Sequence, residues 1–66
     1  MVTLTGIVGY VHEFDCITAD ITSNKHIPSD DGVLCGVKVL NGDILYNMET
    51  GDTYKYDLAN KTWILQ

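Results

Sequence analysis

Two histidines, His12 and His26, two cysteines, Cys16 and Cys35, and nine acids are the residues of this 66-residue chain that could do chemistry. A tetrahedral zinc site would have to draw on His12, Cys16, His26 and Cys35. Such sites present their ligands in closely spaced pairs, and His12-x3-Cys16 is the single near pair here. The expected arrangement is two free core thiols and two histidines at the surface or in loops. A nucleophile built from Cys16 and His12, with Asp15 orienting the ring, needs an electropositive pocket to stabilise the thiolate, and this neighbourhood is acidic. Asp30-Asp31-Gly32 offers clustered oxygens to a hard cation but lacks the alternating acids and closing glutamate of a calcium loop, so it reads as a solvated turn. Asn60-Lys61-Thr62 matches the glycosylation acceptor pattern and reads as a hairpin tip. These spacings lead to the expectation of no catalytic residue, no metal and no cofactor, in a protein that is not an enzyme.

The charge balance narrows the partners. Nine acids stand against four lysines, and no arginine is present, for a net charge of −5. Recognition of phosphates and base edges leans on guanidinium forks that lysine does not reproduce. Lys25, Lys38, Lys55 and Lys61 are dispersed among acids and build no positive track, so no nucleic-acid partner is expected. No stretch approaches the roughly 18 apolar residues of a membrane span, and Met1 to Tyr10 has neither a basic flank nor a long apolar run, so neither membrane insertion nor export is expected. At 45% hydrophobic the chain has an ordinary globular composition. One domain spanning residues 1–66 follows from the length. A single core of this size supplies only about 3–5 kcal/mol, so an oligomeric partner or another staple is anticipated.

The elements that must position these residues read as strands. Turn signals at Asn41-Gly42, Thr50-Gly51 and Ala59-Asn60 fall nine positions apart, the rhythm of a meander of short antiparallel strands. Asn-Gly is a strong two-residue hairpin signal, and Gly51 is the expected left-handed residue of a longer loop over Glu49 to Asp52. Alternation places Ile44, Tyr46 and Met48 on one side of the first strand, Tyr54 and Tyr56 on one side of the second, and Trp63 and Leu65 on one side of the third. The three strands are expected to share one aromatic-rich face. Val33 to Leu40 reads as a strand apolar on both sides, Met1 to Phe14 as a strand with a bulge or bend, and Cys16 to Thr22 as a second early strand. Ser23 to Gly32, with Pro28, is the clear loop, and helix is limited to at most a turn near Ser29 to Val33. The fold class expected is all-β: a small antiparallel sheet, sandwich or barrel-like domain ending in a three-stranded meander.

Tyr46, Tyr54, Tyr56 and Trp63 pack a core in the first instance, as aromatics at alternate positions of neighbouring strands do. Tyrosine and tryptophan are also frequent at interface hot spots. Together with Ile64 they are the candidate contacts to another chain.

The string from Asn41-Gly42-Asp43-Ile44-Leu45-Tyr46 through Thr50-Gly51 and Tyr54-Lys55-Tyr56 to Asn60-Lys61-Thr62-Trp63 resembles a segment found in virion proteins of tailed bacteriophages. In those fibre and head- or tail-associated proteins an Asn-Gly start leads to an aromatic strand, a Thr-Gly turn, a Tyr-x-Tyr strand and a terminal Trp strand. The resemblance covers residues 41–66. It implies a bacteriophage structural protein located in the virion, homo-oligomeric and commonly trimeric, in contact with its own copies and other virion proteins for attachment or capsid decoration. The alternative is a small acidic phage-encoded regulator or inhibitor that covers a basic surface on a host protein.

Overall fold

Alternation and turn chemistry in the last third produce the meander that the spacing predicts. In the computed structural model, which describes residues 1–66, the chain runs β1 (Thr3–Val8), β2 (Val11–Cys16), α1 (Thr18–Thr22), β3 (Val33–Leu34), β4 (Val37–Lys38), β5 (Ile44–Asn47), β6 (Thr53–Asp57) and β7 (Thr62–Leu65). β5, β6 and β7 pair antiparallel in sequence order. Gly51 takes the left-handed conformation, φ 78°, in the β5–β6 loop. Lys61, φ 52°, does so at the end of the β6–β7 turn.

The first half is organised differently from the expectation. Met1 to Phe14 is not one bent strand: Gly9, φ 63°, and Tyr10 close a two-residue turn that folds β2 back on β1. The expected irregularity is present as a bulge between Leu4 and Gly6. β2 then pairs with β5 in parallel, so the five-stranded sheet has the order β1-β2-β5-β6-β7 and is mixed rather than purely antiparallel. A parallel neighbour cannot be reached by a tight turn. The residues between β2 and β5 therefore cross over the sheet and supply most of the material that covers one face.

Within that crossover, Cys16 to Thr22 forms no second strand beyond Cys16 itself. Ile17 caps a five-residue helix, α1, with no side-chain acceptor of its own. Asp20 reaches back to accept the Ile17 backbone N–H at 3.0 Å, the reciprocal half of a capping box. Ile17, Ala19 and Ile21 do alternate, but this local hydrogen bond opposes the extended conformation and prevails. Val33 to Leu40 is likewise not a single strand. Cys35, φ 52°, and Gly36, φ 79°, make a two-residue turn that pairs β3 with β4 in a separate small hairpin. Asn41-Gly42 is a turn but joins no paired strands, because the place beside β5 is taken by β2.

The core consists of Val2, Phe14, Cys16, Leu34, Val39, Leu45 and Tyr56, with Leu4, Ile21, Val37, Tyr54 and Trp63 packed against it. Phe14 on β2 and Trp63 on β7 meet edge to face with ring centroids 6.2 Å apart, and Trp63 meets Tyr56 at 4.8 Å. In a flat sheet these two strands would lie roughly 14 Å apart. The sheet therefore curls around the rings, with the crossover closing the concave side.

Leu45 is fully buried at the centre of this cluster. Leu45→Ala is expected to cost about 2–5 kcal/mol, comparable with the whole stability of a core this small, and to leave the chain largely unfolded by far-ultraviolet circular dichroism in water. Met48→Ala, at an exposed position just beyond β5, should change the unfolding free energy obtained from urea denaturation by under about 0.5 kcal/mol.

Candidate functional site

Three polar side chains are buried in this small domain: Asp20, Asp43 and Asn47. Asp43 is the most fully enclosed. Its Oδ1 accepts the backbone N–H of His12 at 2.8 Å. Its Oδ2 accepts the backbone N–H of Leu40 at 2.8 Å and lies 2.9 Å from His12 Nδ1. A carboxylate can only accept, so the proton in the last contact sits on Nδ1. The backbone of Asp43 is also engaged, its N–H donating to Leu40 and its carbonyl accepting from Tyr56. One residue thus ties β2, the turn before β5, and β6.

A histidine held by a buried carboxylate is also the orienting half of a catalytic triad. Here the hydrogen bonds of His12 go to Asp43 and none goes to a hydroxyl or thiol. Cys16 lies four residues further along the same strand, about 13 Å away. Its thiol is pushed up from the ordinary value of 9.0 by burial first, then by the nearby charges of Asp20 and Asp15. The arrangement of His12 and Asp43 acts as a fastening between strands. No three of the histidine, cysteine and acidic side chains gather around a common point where a metal could sit. Cys16 and Cys35 are both free, and Cys35, expected in the core, is exposed on the β3–β4 turn with its Sγ 3.2 Å from the carbonyl of Val2.

The other two buried polar groups are also anchors. Asp20 accepts from the Met1 ammonium at 2.9 Å as well as from Ile17. Its carboxyl is held below the usual carboxylate range by the ammonium hydrogen bond first and the Ile17 N–H second. Asn47 ends β5 by accepting the N–H groups of Glu49 and Thr50 and donating to the hydroxyl of Thr18. None of the three was singled out from the sequence. The available signals were modest: an aspartate three residues after a helix N-cap, and an aspartate directly after Asn-Gly.

The five candidate contact residues do not form a single aromatic surface. Tyr46 pairs with Thr53, and Leu45 pairs with Tyr54. Residues directly opposite in a ladder share a face, so Tyr46 lies on the side away from Tyr54. Tyr56 is buried and Tyr54 and Trp63 are half-buried on the core side, where the Trp63 indole donates to the carbonyl of His26 at 2.9 Å. Ile64 pairs with Lys55 and joins Tyr46, Thr53 and Ile44 on the outer face. That face carries Glu13 and Asp15 on β2 as well. The alternation within each strand was read correctly, but the register places β5 one residue out of step with the expectation, so Leu45 and not Tyr46 enters the core.

No cavity able to enclose a small molecule is present. What the molecule offers is surface: Tyr46, Ile64 and Leu65 on the outer face and last strand, and Ile7, Val8 and Tyr10 at the β1–β2 tip, all exposed. No helix is long and apolar enough to cross a membrane.

No family model matches this chain, and no curated protein or solved structure is significantly similar to it. The geometry of the sheet and its exposed residues therefore carries the functional reading.

The network yields two expected outcomes. Asp43→Ala removes the acceptor for three donors and should destabilise the fold by about 3 kcal/mol or more in urea denaturation. His12→Ala, which leaves both backbone N–H groups bonded to Asp43, should cost clearly less. Asp20 adds a pH-dependent contribution to stability. Its folded value is depressed, so the unfolded chain binds the proton more readily and stability rises with pH. The contribution is complete above the ordinary carboxylate value of 3.8 and fades as pH falls below it toward the folded value. Asp20→Asn should therefore be less stable than the parent at pH 7, with the difference shrinking as the pH is taken below that value.

Proposed function

We propose that this chain is a bacteriophage structural protein, a homo-oligomeric β domain of the fibre, tail or capsid-decoration kind that works through protein contact and carries out no catalysis. The observation that carries the reading is the distribution of exposed apolar side chains on a sheet covered on one side only. The crossover closes the concave face, while Tyr46, 38% exposed, and Ile64, 46% exposed, stand on the uncovered one. Leu65 at the adjoining edge is 57% exposed. Ile44 adjoins Tyr46 on this face and Ile64 lies across Lys55 from Ile44, so the apolar side chains stand among charged ones, as they do in a contact surface with a polar rim. The buried polar groups Asp20, Asp43 and Asn47 are committed to fastening strands and caps.

Size supports the same reading. Seven buried apolar residues form a small core, and chains of this length commonly draw further stability from association. The resemblance of residues 41–66 to tailed-phage virion proteins supplies the setting, with copies of the chain and other virion proteins as partners.

Light scattering on the purified chain across a wide dilution range tests this. A stable oligomer that persists on dilution is the expected result. A chain that stays monomeric at high concentration would sink the self-assembly reading and favour an acidic regulator acting on a host protein.

A further inference from the structure

The two edges of the sheet differ in how they are protected. An uncovered edge strand presents a row of free N–H and C=O groups, and proteins usually blunt it with charges, proline or a bulge. β1 is blunted: its ladder is broken by the bulge between Leu4 and Gly6, and the Cys35 thiol occupies the carbonyl of Val2 just before it. β7, Thr62-Trp63-Ile64-Leu65, has no proline, no charge and an uninterrupted register with β6.

The direction of its free groups follows from the ladder. Gln66 donates to Thr53, and Tyr56 donates to Asp43. Alternation in antiparallel pairs then assigns Thr62, Ile64 and Gln66 to bonds with β6, and turns the backbone N–H and C=O of Trp63 and Leu65 outward.

We propose that β7 pairs antiparallel with β7 of a second copy of this chain across a two-fold axis at Ile64, joining two sheets into one. This rests on the self-associating reading above and names its interface. In this register Trp63 of one copy faces Leu65 of the other, and each donates to and accepts from its opposite. The axis repeats that exchange. The two Ile64 side chains then face one another on the outer side in a non-hydrogen-bonded pair, with Cα atoms about 4.5 Å apart. Leu65 of the second copy lies beside the half-buried Trp63 on the other side. The second copy is favoured as occupant because the strip is self-complementary and free of acids. On a chain of net charge −5, most surfaces would oppose acid to acid, whereas no side chain from Thr62 to Gln66 is charged and the nearest charged side chain along this strand is Lys61.

The orientation of Leu65 supplies a sharp test. Its N–H bonds nothing within the chain, so proline is tolerated there as at other solvent-side edge positions. Leu65→Pro should leave the circular dichroism spectrum unchanged while shifting the mass by light scattering from twice the chain mass of 7.3 kDa to once. The dissociation constant should rise by roughly two orders of magnitude. Ile64→Lys places two ammonium groups opposite each other on the axis and should have the same effect through an exposed side chain, so it decides the matter should Leu65→Pro fail to fold. An oligomer unaffected by Ile64→Lys, or a trimer, overturns this interface and leaves the self-association reading standing. A parent chain that is monomeric throughout overturns both.

Discussion

A carboxylate removed from water survives in a folded domain when donors meet its lone pairs, and otherwise costs more than a domain of this size can bear. Asp43 meets that condition with the backbone N–H groups of His12 and Leu40 and the His12 ring. Those donors come from two places in the chain that no short turn connects, β2 and the end of the crossover. Satisfying Asp43 therefore sets β2 beside β5, in parallel, and determines where the crossover must finish. Gly42 next to it would bring a Cβ to 3.8 Å from Val11, so the turn lies close against the start of β2. The parallel pair, the covered concave face and the order of the whole sheet depend on this one enclosed group.

The remaining buried polar groups extend the same logic to the ends of the crossover. Asp20 starts α1 and holds the first residue of the chain against it. Asn47 closes β5 and reaches Thr18 at the beginning of the helix. Polar groups buried with their partners specify position more narrowly than apolar contacts do. Here they hold a loop-rich covering layer in place where few apolar residues are available to do so. The outer face has no such layer, and its residues remain available to another chain. The distinction between a fastened face and an open one is the physical basis of the proposal that the protein works through contact.

Much of the fold was legible in local sequence. The meander from β5 to β7 follows from turn residues and period-two alternation, both of which act over a few positions. The left-handed Gly51 follows from the freedom of glycine to take positive φ, and the bulge falls beside Gly6, where a glycine inside a strand weakens regular pairing. Three segments depart from their local pattern. Ile17 to Ile21 alternates like a strand but is drawn into a helix by the Asp20 carboxylate. Val33 to Leu40 is apolar like a central strand but is divided by the Cys35-Gly36 turn. Asn41-Gly42 has hairpin chemistry but faces a neighbour delivered from β2. A side-chain hydrogen bond in the first case, a left-handed turn in the second and a distant strand in the third outweighed a pattern spread over several residues.

The sequence by itself determined the all-β character and the three-stranded end, because alternation and turn chemistry are local properties of the chain. Tertiary structure decided which face of each strand turns inward. Register in a sheet is set by pairing, and a shift of one residue exchanges the two faces. That shift took Tyr46 out to the open side and put Leu45 in the core. Only the assembled ladder shows that the backbone groups of Trp63 and Leu65 point away from β6, because the direction of a strand's hydrogen bonds is fixed by the neighbour it has found.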